Sequence, residues 1–427
     1  TMNDNNNNNS ISRDELELMA PAGSYEALSA AINAGANSIY FGAGMLNMRS
    51  GSSANFTSKD LKNIATQCRD NNVKSYLTLN TIIYDENLEL MEVMLEVAKA
   101  SEVSAVIASD WAVIEYARKI GLPVHCSTQL NISNTRAARY FAKYSDVVVL
   151  ARELNISQVR KIYDDIIAND VRGPGGELLK IEMFIHGALC MAISGKCYLS
   201  LHEHNKSANR GECLQPCRRG YTVREKEFGY ELDIDNQYIM SPKDLCTIGF
   251  LDKIVEAGAR VFKIEGRGRS PEYVRRTVEC YDEALRALTV EGEYTDEKIA
   301  DWQKRLSEVF NRGFWEGYYL GKHLGEWSDR HGSSATKRKV LLGVATNYYD
   351  KLGVAEFVVQ TGEVNIGEEI IVIGPTTGVL ECTIEEMHGD NGKIQKAEKG
   401  QAFSIAVPEK VRRNDKIYRI VPTNNES

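Results

Sequence analysis

The sequence predicts an α/β protein: a (β/α)8 TIM-like barrel with a Cys-rich insertion after strand 7, followed by a small C-terminal antiparallel β-barrel. Three observations carry this expectation. Eight short apolar runs alternate with segments of helical period from Leu16 onward. A dense group of cysteines delays the helix that should follow the seventh run. From Lys339 the pattern changes to apolar runs separated by Gly- and Asn-containing turns, which is how a small antiparallel barrel reads.

The eight runs are Glu17 to Ala20, Ser38 to Phe41, Ser75 to Leu79, Ala105 to Ala108, Pro123 to Cys126, Asp146 to Leu150, Ile181 to Ile185 and Val261 to Ile264. Segments such as Tyr25 to Ile32 and Leu88 to Ala98 lie between them with helical period, and Ala34-Gly35-Ala36 and Ala257-Gly258-Ala259 read as helix stops. Strands buried on both faces and joined by crossover helices make a parallel sheet, and eight such units suit a closed barrel. An open doubly wound sheet is the competing arrangement. After Ile185 the expected helix is delayed until Ser241-Pro242-Lys243-Asp244-Leu245, where the proline suits a first helical turn. Another helical pattern spans Tyr281 to Lys322. The expected organisation is a disordered N-terminal tail over 1–14, a barrel domain over 15–335 with the insertion at 187–240, and a β-barrel over 336–427.

A chain of 427 residues with 43% hydrophobic and 26% charged residues has ordinary globular composition and more than one domain's worth of length. Nothing approaches 18 uninterrupted apolar residues and no charged leader precedes a hydrophobic stretch, so a cytoplasmic protein without membrane contact is expected. The net charge of −8 excludes a uniformly basic nucleic-acid binder, so any RNA contact must use a local patch. Lys196, Lys206, Arg210, Arg218 and Arg219 offer one, and Arg275 and Arg276 can extend it.

Nine cysteines are present, and five of them, Cys190, Cys197, Cys213, Cys217 and Cys246, fall within 57 positions. Thiolates crowded into one loop region bind soft metals, and four complete either a Zn²⁺ site or a [4Fe–4S] cluster. Spacing leaves that choice open. Cys68, Cys126, Cys280 and Cys382 read as small buried hydrophobes. An insertion at the carboxyl end of a barrel strand lies over the barrel mouth, where catalytic residues gather.

The segments Met19-Ala20-Pro21-Ala22-Gly23-Ser24, Phe184-Ile185-His186-Gly187-Ala188-Leu189-Cys190, Asn209-Arg210-Gly211-Glu212-Cys213, Ser241-Pro242-Lys243-Asp244-Leu245-Cys246 and Lys263-Ile264-Glu265-Gly266-Arg267 resemble peptidase family U32. The likeness runs from about residue 16 to 325. The family was named for collagenase-like peptidases, but it includes oxygen-independent hydroxylases. Some form 5-hydroxyuridine at the tRNA wobble position with prephenate, others hydroxylate a cytidine of 23S rRNA or the ubiquinone ring. The resemblance implies a [4Fe–4S] cluster on Cys190, Cys197, Cys213 and Cys246, with Cys217 as an alternative ligand and Zn as an alternative occupant. With its extra barrel, similar to the second domain of translation elongation factors, the chain looks most like the tRNA-modifying members. Peptidase activity and 23S rRNA hydroxylation are the alternatives.

Residues just after barrel strands nominate the rest of the site. His186, Arg152, Glu153, Glu265 and Arg267 are expected to act in catalysis. Arg49, Asn80, Gln129, Arg269, Arg210 and Arg218 are expected to bind substrate, with guanidinium groups suited to a dicarboxylate such as prephenate. His202-Glu203-His204 lacks the i, i+4 histidine spacing of a zinc peptidase helix.

Overall fold

The computed structural model describes residues 11–48, 50, 56–219, 222–224, 226–227, 231–233, 241–321 and 333–423. The first sheet contains β1 (Glu17–Ala22), β2 (Ser38–Gly42), β3 (Lys74–Leu79), β4 (Ala105–Ala108), β5 (Val124–Cys126), β6 (Val147–Val149), β7 (Lys180–Gly187), β8 (Asp244–Cys246) and β9 (Ala259–Ile264). All but β8 run parallel, each pairs with the next in chain order, and β9 pairs with both β7 and β1, which closes an eight-stranded barrel. The eight apolar runs are these eight strands. The open-sheet alternative is thereby excluded.

Helices α1 (Tyr25–Asn33), α2 (Leu61–Asp70), α3 (Leu88–Ala100), α4 (Trp111–Lys119), α5 (Thr135–Phe141) and α6 (Ile156–Ala168) fill the first six crossovers. Their starts follow capping chemistry: the Ser24 hydroxyl accepts from the Ala27 N–H at 3.2 Å, and Asn155 and Gln158 cap α6 reciprocally. The insertion contributes α7 (Leu199–His204), and α8 (Leu251–Glu256), α9 (Pro271–Arg286) and α10 (Asp296–Ser307) complete the outer layer. Among the described residues no helix is long and apolar enough to cross a membrane.

The chain is ordered earlier than the expected tail boundary at residue 14 allows. Arg13 is fixed by an ion pair to Asp282 at 2.7 Å and by donating to the Asn37 side chain. The stretch from Ser241 does not open a helix either. Leu245 and Cys246 pair antiparallel with Gly187 and His186, and β10 (Phe314–Trp315) runs parallel alongside. Burial explains this: the Asp244 carboxylate is 1% exposed between Arg269 at 3.1 Å and Arg312 at 3.5 Å, an arrangement the exposed start of a helix cannot supply. The helical pattern expected to Lys322 stops at Ser307, after which the aromatic residues anchor an extended segment; the Tyr319 hydroxyl donates to the Phe184 carbonyl at 2.8 Å.

Inside the barrel Met19, Tyr40, Tyr76, Ile107 and Val261 pack together. Charged groups share this interior. Lys263 pairs with Glu182 at 2.9 Å with both side chains buried, and Glu17 accepts from Lys74 and from the Tyr76 hydroxyl, each at 2.7 Å. His125 packs against Tyr76 with the rings tilted and their centroids 4.5 Å apart, and burial pushes its pKa down to about 4 despite the nearby Glu17 carboxylate. The folded barrel therefore holds His125 neutral.

The C-terminal module contains β11 (Lys337–Tyr349), β12 (Val354–Val359), β13 (Glu363–Asn365), β14 (Glu369–Gly374), β15 (Gly378–Thr383), β16 (Met387–Gly389), β17 (Gly392–Ile394), β18 (Lys396–Glu398), β19 (Ala402–Ala406) and β20 (Lys416–Pro422). Eight of them form one antiparallel sheet in the order β15-β14-β20-β11-β12-β19-β16-β17, curled round Leu342, Phe357, Ile370, Val372, Phe403 and Ile417. β13 pairs with β18.

The sheet docks on the barrel through α1 and α9. Ala30 packs against Ile371, Ile373 and Val379, and the Ser29 hydroxyl donates to the Pro375 carbonyl at 2.6 Å. Arg275 donates to the Val379 carbonyl at 2.6 Å and Arg276 pairs with Glu381 at 2.8 Å. These two arginines, read from sequence as an extension of an RNA patch, are interface residues. Gly378, at φ +70°, lies so close to α1 that an added Cβ would sit 2.9 Å from the Ala30 amide nitrogen.

Two expectations follow. Gly378→Val should loosen the module by about 1–3 kcal/mol. Limited proteolysis near residue 335 should then accelerate while the near-ultraviolet circular dichroism of the barrel is kept; unaltered cleavage would show that this contact does not hold the module. Because His125 is neutral in the fold and protonates readily once unfolded, stability should be full above pH 6.5 and decline as pH falls toward 4. The decline from this group amounts to about 3 kcal/mol. Urea midpoints at pH 7.5 and pH 5 should differ less for His125→Gln than for the parent, and an equal difference would refute the assignment.

Candidate functional site

A cavity of about 400 Å³ opens at the carboxyl ends of the barrel strands, under the insertion. Its floor is built from side chains at or just beyond strand ends. Arg267, after β9, is 8% exposed and donates from one nitrogen to the Thr78 hydroxyl at 2.7 Å and to the Asn47 side chain at 3.1 Å. Lys263 lies 4.6 Å from the Tyr40 ring centroid and 5.4 Å from that of Phe184. Arg152, after β6, stacks its guanidinium 3.8 Å from the Phe184 ring and donates to the Ala188 carbonyl at 3.4 Å. The Tyr40 hydroxyl donates to the Ile264 carbonyl at 2.8 Å, with Glu265 as a second acceptor at 3.1 Å. Burial and the neighbouring Glu265 carboxylate hold the Tyr40 phenol well above its usual pKa, so it stays a donor. With Lys263 paired to Glu182 below, Arg152 and Arg267 against the Glu265 carboxylate leave the floor suited to an anion.

Asn80 and Gln129 belt one wall: the Asn80 amide donates to Gln129 Oε1 at 3.3 Å and the Gln129 amide donates to the Asn80 carbonyl at 2.5 Å. The insertion is fastened on top of them. Gly211, at φ +91°, approaches so closely that a Cβ would lie 2.3 Å from the Asn47 carbonyl oxygen, and the Ile82 amide donates to the Asn209 carbonyl at 3.1 Å. Only glycine fits that position. Arg218 ties the two ends of the insertion, donating to the Leu189 carbonyl at 2.6 Å, the Ser241 hydroxyl at 2.9 Å and the Pro242 carbonyl at 3.1 Å.

Cys190, Cys197, Cys213 and Cys217 all line this cavity. Burial raises the Cys217 thiol against the lowering influence of Arg218, and the neighbouring Cys190, Cys213 and Cys197 raise it further. Cys246 does not join them. It sits in the ladder opposite His186, 4.0 Å from the Tyr281 hydroxyl, with burial pushing its thiol up to about 11. Cys217 thus lines the cavity with Cys190, Cys197 and Cys213 and Cys246 does not, which turns from Cys246 toward the alternative ligand Cys217. Among the described residues no three His, Cys, Asp or Glu side chains are drawn together tightly enough to grip a single metal ion.

The other sequence-nominated residues divide likewise. Arg152, Glu265, Arg267, Asn80, Gln129 and Arg218 line the cavity, Arg218 chiefly as a clamp; Glu153 borders a neighbouring hollow with Arg152. His186 is displaced. Strict alternation from Glu182 and Phe184 would aim it into the barrel, but the β7–β9 ladder shifts register between Lys263 and Ile264. It lies among Tyr273, Tyr281 and Phe314, 1% exposed, with its Nδ1 3.3 Å from the Tyr281 hydroxyl. Burial, with a contribution from Arg269, lowers its pKa to about 3, so it is neutral and remote from the cavity, not placed as an acid or base.

Arg269 is held by Asp244 and stacks 3.9 Å from Phe310, away from the cavity. Arg210 stacks 3.9 Å from the Tyr84 ring outside the cavity wall. Lys206 is neutralised by Glu212 at 2.8 Å, which thins the expected basic patch. Arg49 lies outside the described residues. Lys263, Tyr40, Phe184 and Thr78 were missed. The signal for Lys263 was present: it is the one charged residue within the otherwise apolar run of the eighth barrel strand.

Comparison with known proteins agrees with this architecture. The model of peptidase family U32 matches residues 23–329. A Porphyromonas gingivalis protein named collagenase is 58% identical over 405 residues, covering 95% of this chain and 98% of that protein. A tRNA hydroxylation protein of Bacillus subtilis is 30% identical over 388 residues, covering 88% of this chain and 87% of its own length. A 23S rRNA 5-hydroxycytidine synthase of Escherichia coli is 34% identical over 291 residues, 66% of this chain and 41% of that protein. The chain is a member of peptidase family U32.

Proposed function

We propose that this protein hydroxylates RNA without molecular oxygen, forming 5-hydroxyuridine at the tRNA wobble position, with prephenate as co-substrate and a [4Fe–4S] cluster as its redox group. The single observation that carries this reading is that four cysteines border one cavity whose floor carries Arg152 and Arg267. Replacing a ring hydrogen of a pyrimidine by hydroxyl is an oxidation that amino-acid side chains cannot perform, so a redox group must be held. Four thiols spread round one cavity suit a cubane with an iron at each corner. A lone Zn²⁺ needs its four sulfurs only about 3.8 Å apart, given Zn–S bonds of about 2.3 Å. Cys190, Cys197, Cys213 and Cys217 are the proposed holders. When bound, the cluster would supply one-electron transfer.

The residues of the chain do the rest. Arg152, Lys263 and Arg267 can anchor the carboxylates of a dianion. Arg267 is oriented by Thr78 and Asn47, and Lys263 by its pair with Glu182. Glu265 stands at the same floor as a carboxylate able to accept a proton, and the Tyr40 hydroxyl, which stays protonated, is shared between the Ile264 carbonyl at 2.8 Å and Glu265 at 3.1 Å. Asn80 and Gln129 close the wall against water.

A peptidase is the second reading, favoured by the relative at 58% identity that is named collagenase. It needs an activated nucleophile or a metal-bound water. Among the described residues no histidine hydrogen-bonds a serine, threonine or cysteine side chain; His186 meets Tyr281, and His204 and His388 meet glutamates.

After anaerobic purification the protein should carry about four iron and four sulfide per chain. Cys217→Ser should lose most of that iron and Cys246→Ser should keep it; the opposite pattern would restore Cys246 to the ligand set, and no iron in the parent would sink the cluster. tRNA from a deletion strain should lack 5-hydroxyuridine derivatives, whereas unchanged tRNA together with cleavage of gelatin by the purified protein would establish the peptidase. Arg267→Met should raise the KM for prephenate about tenfold, the loss of one charge-assisted contact, and an unaltered KM would place the anion elsewhere.

A further inference from the structure

The C-terminal module covers the flank of the barrel formed by α1 and α9. On the far side, beside β4 and β5, the helices α3, α4 and α5 lie side by side and make one outer face. The Tyr116 hydroxyl on α4 donates to Glu96 on α3 at 2.7 Å, and Arg118 on α4 donates to the Lys143 carbonyl just beyond α5 at 2.8 Å. The solvent side of a barrel helix is ordinarily polar. This face is not. Trp111 on α4 and Tyr140 on α5, with ring centroids 6.2 Å apart, are 45% and 46% exposed, and Val93 on α3 is 48% exposed. Trp111 has little freedom to turn away from solvent: its ring stacks on Phe141 at 5.9 Å and meets Tyr144 edge-on at 5.1 Å. Exposed Trp and Tyr beside exposed aliphatic side chains mark an interaction surface, because these aromatics are the residues that interface cores concentrate.

Charge decides what this surface meets. Exposed Glu89, Glu92 and Glu96 recur at helical spacing along α3, so that side is acidic. Exposed Arg136 on α5 and Lys143 just beyond it make the other side basic, and Lys143 lies 5.3 Å from the Tyr140 ring centroid. Between them α4 carries both signs, in Glu115, Arg118 and Lys119. A polyanion such as RNA, or an anionic membrane, would be drawn to the α5 side but repelled by the α3 carboxylates. A partner bearing an acidic and a basic edge in the opposite order satisfies both sides at once. A second copy of the chain has those edges: rotation by 180° about an axis running along α4 lays the acidic α3 of each protomer over the basic α5 side of the other, with the aromatic side chains between.

We infer that the α3–α4–α5 face is a self-association surface, on which two copies of this chain pair about a two-fold axis along α4. The inference does not depend on which reaction the cavity performs. Flank helices lie beside a barrel mouth and not over it, so both cavities stay open in such a pair. Both C-terminal modules stay on the outer sides, because each is docked on α1 and α9.

The test is sedimentation velocity of the full chain across the micromolar range. The parent should show a concentration-dependent equilibrium between one and two chains, weakened by added salt. Trp111→Glu should raise the dissociation constant by about thirtyfold or more, the loss expected of a central aromatic anchor. Two further variants reverse one edge each. Glu89→Lys with Glu92→Lys makes both edges basic, and Arg136→Glu with Lys143→Glu makes both acidic. Each should sediment as a monomer alone, and an equimolar mixture of the two should recover the dimer, because every edge then meets its opposite. These charge variants keep all the aromatic side chains, so they decide the question if Trp111→Glu fails to fold. A parent that stays monomeric throughout, a dimer indifferent to a folded Trp111→Glu, or a mixture that stays monomeric would overturn the inference. A monomeric parent whose affinity for tRNA falls on Arg136→Glu with Lys143→Glu would overturn it in favour of an RNA-binding face.

Discussion

The ladder between β7 and β9 is the constraint on which the site depends. It closes the barrel, and it does so with a register that opposes Lys263 to Phe184 and leaves Lys263 beside Glu182. Neither charge would be tolerable alone in that interior, because an unpaired buried ion costs several kcal/mol. Together they hold an ammonium at the base of the cavity. The shift at Ile264 then turns the next part of each strand: Glu265 and Arg267 emerge toward the mouth, while His186 rotates into the aromatic layer of α9. β7 also ends at Gly187, where the Glu265 carbonyl oxygen would lie 2.3 Å from an added Cβ, so the chain departs into the insertion hard against the loop that carries Arg267.

From that junction the insertion has little freedom. Arg218 draws Leu189 and Pro242 together, and Gly211 presses the far loop onto Asn47, which itself receives a hydrogen bond from Arg267. The cavity roof and floor are therefore coupled through one asparagine. β8 returns from the insertion along the free edge of β7, and its Asp244 recruits Arg269 and Arg312. Two arginines that a count of positive charge would assign to a ligand thus neutralise a buried carboxylate.

The barrel was legible in the sequence because eight parallel strands buried on both faces must read as eight apolar runs, and several helix starts, such as those after Ser24, Asp110, Asn134 and Asn155, carried their own capping chemistry. The cavity floor was partly legible for the same reason: residues following strands face the mouth, as Asn80, Gln129, Arg152, Glu265 and Arg267 do. Failures occurred where pairing overrides local pattern. Ser241-Pro242-Lys243-Asp244-Leu245 looks like a helix start, but the unpaired edge of β7 offers hydrogen bonds that a short helix would forgo. His186 was misplaced because a register shift is invisible to a count of alternation.

The two kinds of name carried by relatives pose a chemical question that thiol ionisation helps to resolve. A cysteine that attacks a peptide bond must be a thiolate at neutral pH, which requires a lowered pKa from a cationic partner. Here burial raises both Cys246 and Cys217, the latter outweighing the lowering influence of the nearby Arg218, and the two histidines of the barrel, His125 and His186, are kept neutral by burial and so cannot stabilise a thiolate. A thiol held protonated by burial is poorly disposed to attack a peptide carbonyl, so these acid–base facts weaken the peptidase reading.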